Sequence, residues 1–257
     1  MRLAIALLLC AGAAFGQEDQ RGARFSLGAG VIRAPLYPGS DRYEPRFIPV
    51  VTVNFGRFFF GGESGGTGLP GAGVNLMRDQ HWRAGVGLAV AGAFRKQREE
   101  SDDPSLRGMG DIERVLRGLA FVGYERDWYG LYARLATEMT DKDQGTLVLM
   151  DALVRHRVNE RFTVNIGPGV TWADSEYMMT FFGVSAEQAA RSTLPQYRAQ
   201  AGFYAVRFGA GGSYRIDRDW RAIVRASVAR LEGDAAASPI TKDRTQYTAG
   251  ILAAYEF

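Results

Sequence analysis

Apolar residues alternate with small or polar ones along most of this chain, most cleanly from Trp82 to Phe94. There Trp82, Ala84, Val86, Leu88, Val90 and Phe94 fall on one face, and Arg83, Gly85, Gly87, Ala89, Ala91 and Ala93 on the other. A period of two is that of a strand. Phe162 to Trp172 repeats it, with Phe162, Val164, Ile166, Val170 and Trp172 against Thr163, Asn165, Gly167, Gly169 and Thr171. Trp220 to Val228 does so again, and the chain closes on Tyr247, Ala249, Ile251, Ala253, Tyr255 and Phe257 along one face. A soluble sandwich also alternates, but large branched residues fill its core. Here the face opposite the apolar row is small, as in a sheet that meets lipid on one side and crowds a lumen on the other.

The connections sharpen this into an architecture. Tight, polar or glycine-bearing turns are expected at Asn54–Arg57, Arg78–His81, Glu125–Trp128, Val158–Arg161 and Ile216–Asp219. Longer polar stretches fall between them, at 34–45, 95–112, 174–197 and 232–244, with shorter ones near Ser64 and Asp141. The alternation of short turns and long loops predicts an all-β, transmembrane, antiparallel up-and-down β-barrel of about twelve strands. The strands are expected to begin near residues 24, 46, 57, 68, 82, 113, 128, 145, 161, 198, 219 and 245. The hairpin from Arg57 to Gly62 and Gly68 to Met77 is the weakest; without it ten strands remain. An even count puts both termini at the short-turn end.

The first seventeen residues, MRLAIALLLCAGAAFGQ, carry Arg2, an apolar run from Leu3 to Phe15, and small residues at Ala14 and Gly16. That is the form of a secretory signal, with cleavage expected after Gly16, so the domains are a signal peptide over 1–16 and a barrel over 17–257. The run is too short to stay as a membrane helix. Cys10 suggests a lipid-modified protein, but Leu7, Leu8 and Leu9 before it lack the small residues that such a site needs. Beyond the signal no apolar run reaches the length of a membrane helix. Losing residues 1–16 removes Arg2 and the only cysteine, so the formal charge of +3 becomes +2 and no disulfide can form. A domain so placed must be held by a large core or by closure of its sheet. No run of basic residues is present to follow a phosphate backbone, so nucleic acid is not an expected partner.

Three enzyme motifs match in letters only. Gly62-Glu-Ser64-Gly-Gly66 fits G-x-S-x-G, but Gly68 and Pro70 follow where a nucleophile elbow needs a helix. Gly66-Thr-Gly68-Leu-Pro70-Gly71 fits G-x-G-x-x-G with the same defect, and the G-x-x-x-x-G from Gly61 lacks the P-loop lysine. His81 and His156 have no cysteine or second histidine at metal-ligand spacing; His156 with Asp151 is the nearest approach to a catalytic pair. No catalytic, cofactor-binding or metal-binding residue is therefore expected, and no cofactor. Arg83, Arg134, Glu138, Arg221 and Arg225 lie opposite the apolar rows, where charges can line a pore or lock a filled barrel with ion pairs. Sequence alone leaves both open.

The stretch from Tyr177 to Tyr197, YMMTFFGVSAEQAARSTLPQY, resembles the MipA/OmpV family of outer-membrane proteins, the MltA-interacting scaffolding proteins. Gly28-Ala-Gly-Val31 with Pro35, Tyr37, Gly39 and Ser40 is similar to the family's opening. Leu106, Gly108, Gly110, Asp111 and Ile112 match its middle, and Arg230 to Ile240 its closing segment. Phe181 stands where the family usually has Tyr, and Thr193 where it has Gly. The resemblance implies residence in the bacterial outer membrane, in contact with its lipid. It also implies a scaffold role in peptidoglycan biogenesis, bridging a lytic transglycosylase and a bifunctional murein synthase; other members are described as porin-like channels or adhesins.

Overall fold

The computed structural model describes residues 23–61, 71–92, 103 and 106–257. The expected signal, the three enzyme motifs of 61–71 with Ser64, and Phe94 lie wholly or largely outside them. Twelve strands follow one another round a single wall: β1 (Arg24–Pro35), β2 (Tyr43–Phe55), β3 (Phe58–Gly61), β4 (Gly71–Arg78), β5 (Trp82–Ala91), β6 (Val115–Glu125), β7 (Tyr129–Glu138), β8 (Thr146–Arg157), β9 (Phe162–Ala173), β10 (Gly202–Arg215), β11 (Trp220–Leu231) and β12 (Thr245–Glu256). Each pairs antiparallel with its neighbours in sequence, and β1 pairs with both β2 and β12 to close the barrel. At the seam Ser26 stands across from Glu256, and the Phe257 amide donates to the Phe25 carbonyl at 2.9 Å. Closure gives every strand a neighbour on both sides, as a bilayer demands, although β2 pairs with β3 only from Thr52 to Phe55.

The twelve-strand expectation holds, including its weakest hairpin, although β3 has only four residues. The largest displacement is at β10, which starts at Gly202 rather than near 198. Ala199 and Gln200 are engaged elsewhere, Ala199 in a core cluster and the Gln200 amide on Asp234 Oδ2 at 2.8 Å. β1 and β2 run further than expected, to Pro35 and from Tyr43, because those residues still pair.

Alternation sorts the side chains as the sequence implied. Outward residues such as Phe47, Leu76 and Ile251 are 58%, 61% and 59% exposed, parts of a band far larger than a water-soluble monomer leaves bare. Hydrocarbon is its matching solvent. A girdle of aromatic rings marks the short-turn end: Trp82 against Tyr124 at 4.9 Å, Trp128 against Tyr129 at 4.6 Å, Trp220 against Tyr255 at 5.4 Å, and Tyr255 against Phe257 at 4.7 Å. Rings of this kind sit at the headgroup level.

Inside, the barrel has two storeys. Towards the loop end the inward residues are apolar and buried: Ile32 and Ile48 on β1 and β2, Ala89, Leu119 and Ala136 on β5 to β7. Towards the turn end they are glycine, charged and partly open. Among the described residues the loops add three short helices that the strand-period reading treated only as polar loops: α1 (Ser175–Phe182), α2 (Ala186–Arg191) and α3 (Gly233–Ala237).

Candidate functional site

The mouth at the loop end is closed by a plug built from four separate stretches of chain. α1 packs its buried face, Tyr177, Met178 and Phe182, against Ala173 of β9, Ala205 of β10, Leu231 of β11 and Ala235 of α3. The next layer joins Leu106 and Met109 to Val184, Leu194 and Ile240, with Tyr37 against its side. The segments that carry the family resemblance thus converge on one structure.

Local rules set each piece. Asp174 caps α1, accepting from the Tyr177 amide at 2.9 Å through Oδ1 and from the Thr146 amide at 2.8 Å through Oδ2, so one carboxylate joins helix to wall. Ser185 and Gln188 form a capping box on α2, and Gln188 Nε2 also donates to the Met109 carbonyl at 2.8 Å. Gly108, at φ +79°, passes so close to the Arg191 carbonyl that a Cβ has no room. Ser238 Oγ donates to the Phe182 carbonyl at 2.6 Å and Tyr197 Oη to the Asp234 carbonyl at 2.9 Å. Burial, then the charge of Asp234, pushes the Tyr197 phenol above its ordinary pKa, so it remains a donor at neutral pH.

Arg117 forms the floor of the plug. It points inward from β6, is 2% exposed, and donates to the Gly145 and Gln144 carbonyls at 2.8 Å each and the Ala136 carbonyl at 3.3 Å. Its guanidinium lies 5.7 Å from the Tyr177 ring centroid. A cation so buried is tolerated only when its donors are matched.

Below lies the charged storey. In register across β10, β9, β8, β7, β6 and β5 run Arg207, Gly169, Asp151, Tyr132, Gly123 and Arg83. Asp151 accepts from Arg134 at 2.7 Å through Oδ2 and from Arg207 through Oδ1. The glycines give these side chains space to lie along the wall: Asp151 and Arg207 cross Gly169, and the Tyr132 ring crosses Gly123. Nearer the turn end Arg221 pairs with Glu256 at 2.9 Å, Arg155 with Glu125 at 3.5 Å, and Arg83 Nε donates to Asn75 Oδ1 at 2.9 Å.

The five charges singled out in the sequence meet different fates. All five fall on inward register positions; Arg83, Arg134, Arg221 and Arg225 lie within the wall, and Glu138, across from Arg117, ends β7 at the loop rim, where it accepts from Thr140 and from the Lys142 amide. Sequence reasoning missed Arg117 and Arg207 as lumen residues, and weighed Asp151 only beside His156, a pairing it set aside, without seeing its arginine partners. Asp151 faces inward, His156 lies on the opposite, exposed face of β8, and five residues along a strand always invert the face. His81 Nδ1 is 3.2 Å from the Glu125 carbonyl in a turn. Among the described residues no three His, Cys, Asp or Glu side chains group as metal ligands.

A closed antiparallel barrel with an apolar outer band, an aromatic girdle and a lumen of paired charges belongs to the class of outer-membrane β-barrels. A family model described as "MltA-interacting protein MipA" matches residues 27–257, and the chain belongs to that family. It is 27% identical to the MltA-interacting proteins of Escherichia coli (strain K12) and Shigella flexneri over 241 residues, 93% of this chain and 91% of theirs. Among solved structures it is similar to an outer membrane channel from Pseudomonas putida F1, at 11% identity and TM-score 0.48, covering 95% of this chain and 100% of that one. It is also similar to the outer membrane channel DcaP of Acinetobacter baumannii, at 8% identity and TM-score 0.40, covering 94% and 99%.

Proposed function

We propose that this protein is a non-catalytic outer-membrane scaffold that holds a murein-cleaving lytic transglycosylase, together with a murein synthase, against the inner face of the outer membrane. The observation that carries the reading is kinship over nearly the whole chain with proteins named for interacting with MltA. The closed mouth supports it against the porin-like alternative, because α1 and Arg117 stand where a solute would pass. No residue is assigned a catalytic, cofactor or metal role: His156 and Asp151 face opposite sides of the wall, and the His81 ring meets the Glu125 backbone carbonyl in a turn.

The chain in this reading is exported with cleavage after Gly16 and faces the periplasm with its short turns, which leaves the plug at the cell surface. Murein enzymes then meet the turns at 158–161 and 216–219, or the segment before Arg24. The test is capture from detergent-solubilised envelopes, with recovery of murein enzymes expected and their absence counting against the scaffold. Removal of Cys10 with the signal permits single-cysteine mapping. Ala189→Cys is expected to react with an impermeant thiol reagent on intact cells, and Asn159→Cys only after the outer membrane is permeabilised. The reverse pattern would turn the barrel over and offer the plug to the periplasmic enzymes.

A further inference from the structure

We propose that the outer face of β11, β12 and β1, at the loop end, seats a membrane lipid whose headgroup bears two phosphate groups. The proposal goes beyond the scaffold role and does not depend on it. Register fixes which side chains meet lipid: they are those in step with Val31 on β1, Phe47 on β2, Val224 on β11 and Ile251 on β12. Among the described residues, the outward positions of the twelve strands hold no carboxylate, and their guanidiniums are Arg33 and Arg230. His156, the other basic residue on that face, is at the turn end of β8. Both arginines are exposed, Arg33 two residues short of the loop end of β1 and Arg230 one short of that of β11, with β12 between the two strands. A guanidinium facing lipid is costly at mid-bilayer and tolerated at the headgroup level, where phosphate is its counter-charge.

The surroundings of the two arginines suit phosphate. Arg33 lays its guanidinium over the Tyr43 ring, 5.6 Å from the centroid, and the residues across from it are Ala249 and Pro45. Arg230 meets Glu232 at 3.3 Å, a pair 66% and 46% exposed and so weak enough for a phosphate to compete with. Of the other carboxylates in the adjoining loops, Asp243 and Asp234 accept the backbone amides of Thr245 and Gln200, Glu44 pairs with the inward Arg46, and Asp41 adjoins Arg42. The Tyr43 hydroxyl crosses β1 to accept the Tyr247 amide at 3.2 Å, and amphipathic rings of this kind sit at the headgroup level. From Arg33 to Arg230 the register counts two strand steps, about 10 Å, and the four residues from Ala249 to Thr245, about 13 Å. That spacing suits two phosphates, each on its own guanidinium fork, better than one phosphate held by both. A seat for an acyl chain adjoins them. In register with Arg33 run Ala249, Ala226 and Ala210, all exposed, between rows of larger side chains led by Tyr247 and by Ile251. This trough is two residues from the loop end on β1, Arg33 to Pro35, and eight from it on β10, Ala210 to Gly202, so it slopes away from Arg33 into the apolar band.

The test is native mass spectrometry of the refolded full-length mature barrel in neutral detergent, titrated with diphosphoryl lipid A, with its monophosphoryl form and with phosphatidylcholine. The diphosphoryl lipid is expected to bind about fivefold more tightly than the monophosphoryl form, and both more tightly than phosphatidylcholine, whose phosphate is offset by its own choline. Arg33→Gln and Arg230→Gln are each expected to weaken binding of the diphosphoryl lipid about fivefold, and Arg218→Gln in a short turn to leave it unchanged. Each variant is checked for a heat-modifiable barrel, which substitutions on the outer face are expected to preserve. Equal binding of the diphosphoryl and monophosphoryl lipids, or binding unchanged in both arginine variants, overturns the proposal; if neither variant assembles, the contrast among the three lipids decides. Capture of murein enzymes by Arg33→Gln is expected to persist, which separates failure of the lipid site from failure of the scaffold.

Discussion

Arg117 commits its whole fork to backbone carbonyls of the β7–β8 connection, so its role is read most directly by removing the donors. Arg117→Met leaves the buried Gln144 carbonyl without its donor, at a cost of roughly 1–3 kcal/mol, while the Gly145 carbonyl keeps only the Glu138 amide. A lower urea midpoint for the refolded barrel is expected, with Arg117→Lys only partly restoring it because one ammonium does not reproduce the planar fork. An unchanged midpoint would remove Arg117 from the plug's support. Asp79 and Asp217 give a pH signature at the other end. Backbone amides of Trp82 and His81, and of Trp220 and Asp219, hold these carboxyls below the usual range. A depressed folded pKa stabilises above the unfolded value and is lost as pH falls through the folded one. Stability should be flat from neutral pH down to the carboxylate range and decline below it, and Asp217→Asn should make the decline shallower. A decline equally steep in Asp217→Asn would place the acid sensitivity elsewhere. Sequence hid Arg117 for a physical reason: Val115, Leu119 and Phe121 are apolar on the inner side while Leu116 and Val122 are apolar on the outer. Alternation assigns no face where both faces are apolar.

The helices of the plug are elements too short to announce themselves. A run of six or eight residues makes barely two turns, less than the window in which a 3.6-residue period stands out. Their caps were nonetheless legible: Ser185 with Gln188 three residues on is a capping box, and Asp174 precedes the apolar Tyr177-Met-Met. The strands could be read because lipid on one side and a crowded lumen on the other enforce the period over ten or more residues. Asp174→Ala removes an acceptor shared by α1 and β8, and about 1 kcal/mol of helix stability is expected to go with it. The consequence to measure is local. Trypsin cleavage after Arg191 should quicken, as should thiol labelling of Ala189→Cys, while the barrel's heat-modifiable mobility stays the same. Equal rates in variant and parent would show that α1 is held by packing alone.

On the scale of the whole molecule, a plug rooted in the inner wall predicts that planar bilayers containing the protein lack steady unit conductance. Deleting 175–200 should create it; regular steps in the intact protein would favour the channel reading. The arginines of the turn end were the part of the molecule least legible in the sequence. Arg24, Arg78, Arg157 and Arg215 are scattered among unremarkable turns, and only the register of the closed wall sets them all on its inward positions. That closure also governs how the molecule can come into being. The strand that completes the wall is the last one made, and its partner is the first. Contacts of such sequence separation are slow to form. Until β12 arrives, β1 and β11 each present a bare ladder of amides and carbonyls, open to any extended chain nearby. A nascent or translocating copy is therefore an aggregation hazard for its entire length of synthesis, and a chain stopped before Thr245 should yield no stable eleven-stranded product, only material that depends on holding factors until it is degraded.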